Sequence, residues 1–162
     1  MRVDILHKEL FIKALHNVCP NLEISKYTGI TTDSRKVREG DIFLALKGEN
    51  TDGHHYTEEA ENAGASICIV EKEDRNLNSA FQVMSTRQFI NDTAAAYRRN
   101  LTCPFIGITG TNGKTTTKDL LAHVLSEDRK VMSTKGNYNS TIGAPLSIFE
   151  CGKDVDTAII EM

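Results

Sequence analysis

The sequence predicts an α/β fold in two parts. A small N-terminal α/β domain covers residues 1–85, a connecting helix and linker cover 86–103, and the first strands of a parallel-sheet domain cover 104–162. Three observations predict it. Short β-branched runs, Ile67–Val70, Phe105–Thr109 and Thr157–Ile160, alternate with stretches of helical spacing, the order that builds parallel strands joined by crossover helices. A glycine-punctuated loop, Gly110–Gly113, leads from one of these runs straight into a helix. Arg98-Arg99-Asn100 ends a helix, and Leu101–Pro104 then marks a change of folding unit.

Taken in order, Ile5, Leu6, Leu10, Phe11, Ala14, Leu15 and Val18 describe one face of an amphipathic helix that ends before Pro20. Leu22–Ser25 is expected as a short strand. Asp41–Leu46 is a clearer one, bounded by Gly40-Asp41 and Lys47-Gly48. Thr57 reads as an N-cap, with Glu58 and Glu59 in the first turn and Gly64 as the stop. Strands follow over Ala65–Glu71 and, after the polar segment Glu73–Ser79, over Phe81–Met84. Ser85 or Thr86 caps the connecting helix, which buries Ile90, Ala94 and Tyr97. Beyond it come a strand (Phe105–Thr109), the loop, a helix (Lys114–Ser126), a strand (Lys130–Thr134), a short helix (Thr141–Glu150) and a strand (Thr157–Ile160). The first strand is expected to be covered on both faces, with Leu120, Leu121, Val124 and Leu125 packing back on it. Three strands are fewer than a doubly wound nucleotide domain uses, so the sequence is expected to be a piece of a longer protein.

Composition narrows the function. A net charge of −3, with no basic run or interleaved aromatic patch, argues against a nucleic-acid surface. No apolar stretch approaches the roughly 20 residues that span a bilayer, and the charged N-terminus lacks a signal-peptide core. Cys19, Cys68, Cys103 and Cys151 form no C-x-x-C pair, and Cys68 sits inside an apolar run that buries it as a thiol. A cytoplasmic protein without disulfides is expected, monomeric and not inserted in a membrane.

The stretch FIGITGTNGKTTT (Phe105–Thr117) reads as strand, loop and helix start. Such a loop gathers backbone N–H groups at a helix N-terminus, where the dipole favours an anion. Gly110, Thr111, Asn112, Gly113, Lys114, Thr115 and Thr116 are therefore candidates for holding the phosphates of ATP. Lys114 is placed to reach the β/γ-phosphates, and the Thr115 hydroxyl to ligate Mg²⁺. Ile108 stands where the strict phosphate-loop spacing has its first glycine, so a glycine-rich turn with an incidental Gly-Lys-Thr is the alternative.

Glu161 ends a strand expected to run parallel to the loop's strand, which puts both at one sheet edge. It is a candidate Mg²⁺ ligand beside Thr115, or else a solvated charge where a strand leaves the core. In GNYNS, Asn137 and Asn139 can bond a polar substrate or simply make a turn. TTDSR (Thr31–Arg35) packs hydroxyls, a carboxylate and a guanidinium into five residues. It suits a phosphate or a uracil ring, or a turn held by Asp33 and Ser34. His54 and His55 are adjacent and lack a zinc-ligand pattern, so no metal is expected there.

Together these stretches resemble the Mur ligase family, the ATP-dependent amide-forming enzymes of peptidoglycan precursor synthesis. ITGTNGKTTTKDLL is similar to the family's ATP-binding signature, and TTDSRKVREGDIFLALKGENTDGHHY to its module for the UDP-sugar of the substrate. GNYNSTIGAPLSIFE with DTAIIEM resembles the central domain of the member that adds D-alanyl-D-alanine, except that Ser140 replaces a second asparagine. The resemblance implies a P-loop-type ATPase domain, ATP and Mg²⁺ as cofactors, and UDP-MurNAc-tripeptide and D-alanyl-D-alanine as substrates. It implies catalytic roles for Lys114 and Glu161, with Thr115 and Glu161 on the metal. It puts Thr32, Ser34 and the turn Glu49, Asn50, Thr51 near the uridine end, while Arg35, Asn137 and Asn139 are further candidates for contacting the substrate. The alternatives are the ligase that adds the third stem-peptide residue, a phosphotransferase acting on a hydroxyl, and a non-catalytic nucleotide- or UDP-sugar-binding module.

Overall fold

Alternation along the strands separates two apolar layers on the first sheet. The computed structural model describes residues 1–48, 51–72, 77–136, 138 and 140–162. The strands are β1 (Arg2–Asp4), β2 (Gly29–Thr31), β3 (Ile42–Leu44), β4 (Ile67–Val70) and β5 (Ala80–Gln82), side by side in that order. β1 runs antiparallel to β2, and the other pairs are parallel. Ile42, Leu44, Ile67 and Ile69 face α1 (Lys8–Val18) and α3 (Thr86–Arg98) in one core. Phe43, Ala45, Cys68 and Val70 face the other way, with Ala60 of α2 (Thr57–Asn62).

The N-terminal strand pair departs from the sequence expectation. Leu22–Ser25 is not a strand. Leu22 is buried, but the partner of β3 is Gly29–Thr31. A three-residue strand with one large apolar residue leaves no period to read. Gly29 is needed there because a Cβ would come within 2.5 Å of the Val3 carbonyl oxygen and 2.8 Å of Arg2 Nη2. Ile5 and Leu6 lie before α1 rather than in it, since His7 caps the helix by accepting from Leu10 N. The pair is locked by Asp41, whose fully buried carboxylate takes both Nε (2.6 Å) and Nη2 (2.9 Å) of Arg2, the Thr28 hydroxyl and the Arg38 amide.

The second sheet contains β6 (Phe105–Ile108), β7 (Val131–Ser133) and β8 (Thr157–Glu161), all parallel, in the order β6-β8-β7. α4 (Lys114–Leu125) packs mainly on β7 and β8, and α5 (Gly143–Ile148) buries Leu146 against the shared core. β8 is the buried strand. β6, expected to be covered on both faces, is the half-exposed edge because β8 takes the central place. The helix face differs too. Leu120 and Val124 are each 62% exposed, Leu121 and Leu125 are half-buried, and the buried residue of α4 is Lys118.

α3 bridges the two sheets. Its start is tied to the first sheet, where the Thr86 hydroxyl donates to the Ala45 carbonyl and Glu71 caps the Thr86 amide. Its far end meets the second unit: the Tyr97 hydroxyl donates to the Cys151 carbonyl, and Arg98 stacks 4.0 Å over the Phe105 ring. Phe149 sits edge-on to both Phe11 and Tyr97, with centroids 5.3 Å apart in each pair.

Candidate functional site

The loop after β6 turns into α4 through Gly113, whose φ of 76° at the N-cap is a left-handed conformation that suits glycine. The loop opens into a cavity of about 360 Å³ lined by Thr111 to Thr116 and Glu161. N–H groups of a helix's first turn have no partner within the helix, so this concavity offers donors and the positive end of a dipole. Lys114 Nζ lies across the loop, donating to the Gly110 carbonyl at 2.8 Å.

Glu161 reaches the same place from β8, where it is paired in register with Ile108 at the end of β6. Its side chain is 1% exposed, and the Thr115 hydroxyl lies 3.1 Å from both of its carboxylate oxygens. These are hard oxygen donors beside a glycine-rich loop at a helix N-terminus, the donor type that Mg²⁺ prefers. An octahedral magnesium brings neighbouring ligand oxygens to roughly 2.9 Å from one another, so the pair fits such an ion. The structure thus brings together the loop, Lys114, Thr115, Thr116 and Glu161. Asn137 and Asn139 lie outside the described residues.

Two further residues at this edge carry no motif. The Thr134 hydroxyl accepts from the Glu161 amide at 3.0 Å, and Lys118 Nζ donates to the Thr134 carbonyl at 2.8 Å. For Lys118 the sequence signal is its spacing, one helical turn after Lys114 and on the same face. For Thr134 it is the position at the end of β7.

A second cavity, about 500 Å³, opens where β2 and β3 end. Among its lining residues are Thr32, Ser34, Arg35, Thr51 and Tyr56, so four of the expected substrate residues share one pocket. Glu49 and Asn50 lie outside the described residues. The Asp33–Lys36 turn is closed by its backbone, with the Lys36 amide donating to the Asp33 carbonyl. Within the turn Asp33 holds Arg35 by two bonds of 2.9 and 3.1 Å, while the Ser34 hydroxyl donates to Glu59, which lines the same pocket. The Arg35 guanidinium keeps the Asp33 carboxyl below its usual range. The Met1 amine, also in this pocket, is lowered chiefly by burial and then by Lys36. Tyr56, 40% exposed on the same wall, carries no motif in the sequence and offers an aromatic face on which a base could stack.

Among the described residues no group of three or more His, Cys, Asp or Glu could hold an ion. His54 Nδ1 lies 2.6 Å from Asp52, and Nε2 accepts the Glu71 amide at 2.9 Å.

Residues 26–110 match the family described as "Mur ligase family, catalytic domain", and residues 108–162 match "Mur ligase middle domain". The chain belongs to the Mur ligase family. Among curated Mur ligases it is 41% identical over 140 residues to the UDP-N-acetylmuramoyl-tripeptide–D-alanyl-D-alanine ligase of Synechocystis sp., covering 85% of this chain and 31% of that one. The solved structure of the UDP-N-acetylmuramoylalanyl-D-glutamyl-2,6-diaminopimelate–D-alanyl-D-alanyl ligase from Acinetobacter baumannii superposes with a TM-score of 0.79 at 33% identity. That match covers 93% of this chain and 35% of the other. The Thermotoga maritima MurF ligase, solved in complex with ADP, superposes with a TM-score of 0.75 at 36% identity over 85% of this chain and 32% of that one. The chain spans about a third of the length of the Mur ligases it matches. Among the described residues no helix is long and apolar enough to cross a membrane.

Proposed function

We propose that this chain is the substrate- and nucleotide-binding part of an ATP-dependent carboxylate–amine ligase of peptidoglycan precursor synthesis. The ligase joins D-alanyl-D-alanine to UDP-MurNAc-tripeptide. Residues 1–85 hold the UDP end of the substrate in the Thr32, Ser34, Arg35, Thr51 and Tyr56 pocket. Residues 86–103 connect, and 104–162 begin the ATP-binding domain. The protein works in the cytoplasm, as a monomer, and this piece alone does not turn over.

Thr115 and Glu161 meeting 3.1 Å apart beneath the Gly110–Gly113 loop carries the reading. Bound there, Mg²⁺ supplies positive charge beside the phosphates, held by the Thr115 hydroxyl and the Glu161 carboxylate. The loop amides and the Lys114 ammonium, released from the Gly110 carbonyl, stabilise charge on the transferring phosphoryl group. Transfer of the γ-phosphoryl group of ATP to the tripeptide carboxylate gives an acyl phosphate and releases ADP. An amine then attacks its carbonyl carbon and expels phosphate as the amide forms.

Calorimetric titration of this chain with UDP-MurNAc-tripeptide and, separately, with Mg·ATP tests both pockets. Two independent binding isotherms are expected, and no heat from either ligand would overturn the reading. In the full-length protein, phosphate release should depend on D-alanyl-D-alanine. Release without any amine would exclude a ligase.

A further inference from the structure

Lys118 is buried at a position where an amphipathic helix ordinarily puts a leucine. Its side chain is 4% exposed, whereas Leu120 and Val124 on the same helix face solvent. Burying an ammonium costs free energy unless it is well partnered. The partners here are specific. Nζ donates to the Thr134 carbonyl at 2.8 Å and lies 3.1 Å from Asp119, whose own side chain is 65% exposed.

Thr134 passes this anchoring on. It is 1% exposed, and its amide donates to the Ile159 carbonyl, which holds the end of β7 on β8. Its hydroxyl accepts from the Glu161 amide at 3.0 Å. Glu161 in turn receives Thr115, three residues before Lys118 on α4. Lys118, Thr134, Glu161 and Thr115 therefore close a ring from α4 through β7 and β8 and back to α4. Thr115 and Glu161, which face each other at the loop, are both members of this ring.

We propose that Lys118 is a positioning residue for the divalent cation, setting through Thr134 the place of Glu161 opposite Thr115. The inference rests on the cation reading of Thr115 and Glu161 given above. Groups that orient metal ligands without touching the metal typically change metal affinity by about 10–100-fold when removed.

The test uses the full-length ligase and measures ADP affinity with and without Mg²⁺, a readout independent of turnover. In Lys118→Met the strengthening of ADP binding by Mg²⁺ should fall by about tenfold or more, with metal-free affinity within about twofold of wild type. Lys118→Gln, which keeps an N–H donor, should recover part of the effect. Should the methionine variant fail to fold, Thr134→Val gives a second route and should show the same cation-selective loss, with Thr134→Ser as its control. Equal losses with and without Mg²⁺, or no loss in either, overturn the proposal. A wild-type protein whose ADP affinity ignores Mg²⁺ overturns the cation reading itself, and this inference with it. The two failures are told apart because the second needs no variant.

Discussion

The Thr115 hydroxyl stands equidistant from the two carboxylate oxygens of Glu161, 3.1 Å from each, although 46 residues separate them in the chain. Parallel pairing of β6 with β8 makes this possible, because it ends both strands at one edge. Glu161→Gln keeps the shape and removes the charge. In the full-length enzyme it should lower turnover by roughly 10²–10³ and raise the Mg²⁺ concentration needed for half-maximal rate. Unchanged Mg²⁺ dependence would remove Glu161 from the site.

Lys114 holds a loop carbonyl that a phosphate would replace. Lys114→Ala should weaken ATP binding and cut turnover by roughly 10²-fold or more, while the thermal midpoint moves little, since the side chain bonds the loop alone. Equilibrium binding and steady-state kinetics on the full-length enzyme check this. Retention of both ATP affinity and rate would sink the phosphate-loop reading.

Asp41 is the structural counterpart of these groups. Asp41→Ala leaves Arg2, Thr28 and the Arg38 amide without their shared acceptor, and Arg2 is itself nearly buried. Removing one member of such a pair costs about 3–5 kcal/mol. Urea denaturation should show it, with β1 the first element to lose amide protection in hydrogen exchange.

Gly53→Ala probes the first pocket. A Cβ at this position would lie 2.7 Å from Leu46 N and 2.9 Å from Leu46 O, and backbone atoms cannot step aside as a flexible side chain does. The turn should shift at a cost of about 1–3 kcal/mol. Binding of the UDP-sugar substrate should weaken more than binding of ADP, and equal effects would count against this pocket.

Alkaline pH should also weaken the fold. Burial pushes the Cys151 thiol from 9.0 up to about 12, helped by its neighbour Cys103, and burial raises the Tyr97 phenol in the same direction. Above the unfolded thiol's value the unfolded chain releases a proton that the folded chain keeps, so stability falls as pH rises. The thiol's contribution is whole below about 9 and is lost towards about 12. Urea midpoints for wild type and Cys151→Ala should therefore draw together across that window. A constant gap would argue against it.

Much of this was legible from residue order. The run Ile67-Cys68-Ile69-Val70 and the run ending at Glu161 are apolar enough to specify strands alone, and glycine followed by Lys-Thr marks the loop. Ser85 caps α3 with its own side chain, as its residue type suggested. Other features depend on partners distant in the chain. β2 is a strand because Val3 and Ile42 flank Ile30, not because of any local period. The exposure of Leu120 and Val124 and the burial of Lys118 reverse an ordinary amphipathic reading. What reverses it is the Thr134 carbonyl, which no spacing rule announces.

The aromatic contacts of Phe149 with Phe11 and Tyr97 have a mechanical meaning. Three rings in contact act as a keel joining α1, α3 and the end of α5, so the Thr32–Tyr56 cavity and the Gly110–Gly113 loop ride on a single frame. Trimming Phe149 to alanine would slacken that frame without altering the lining of either cavity, and the two cavities would lose their common reference.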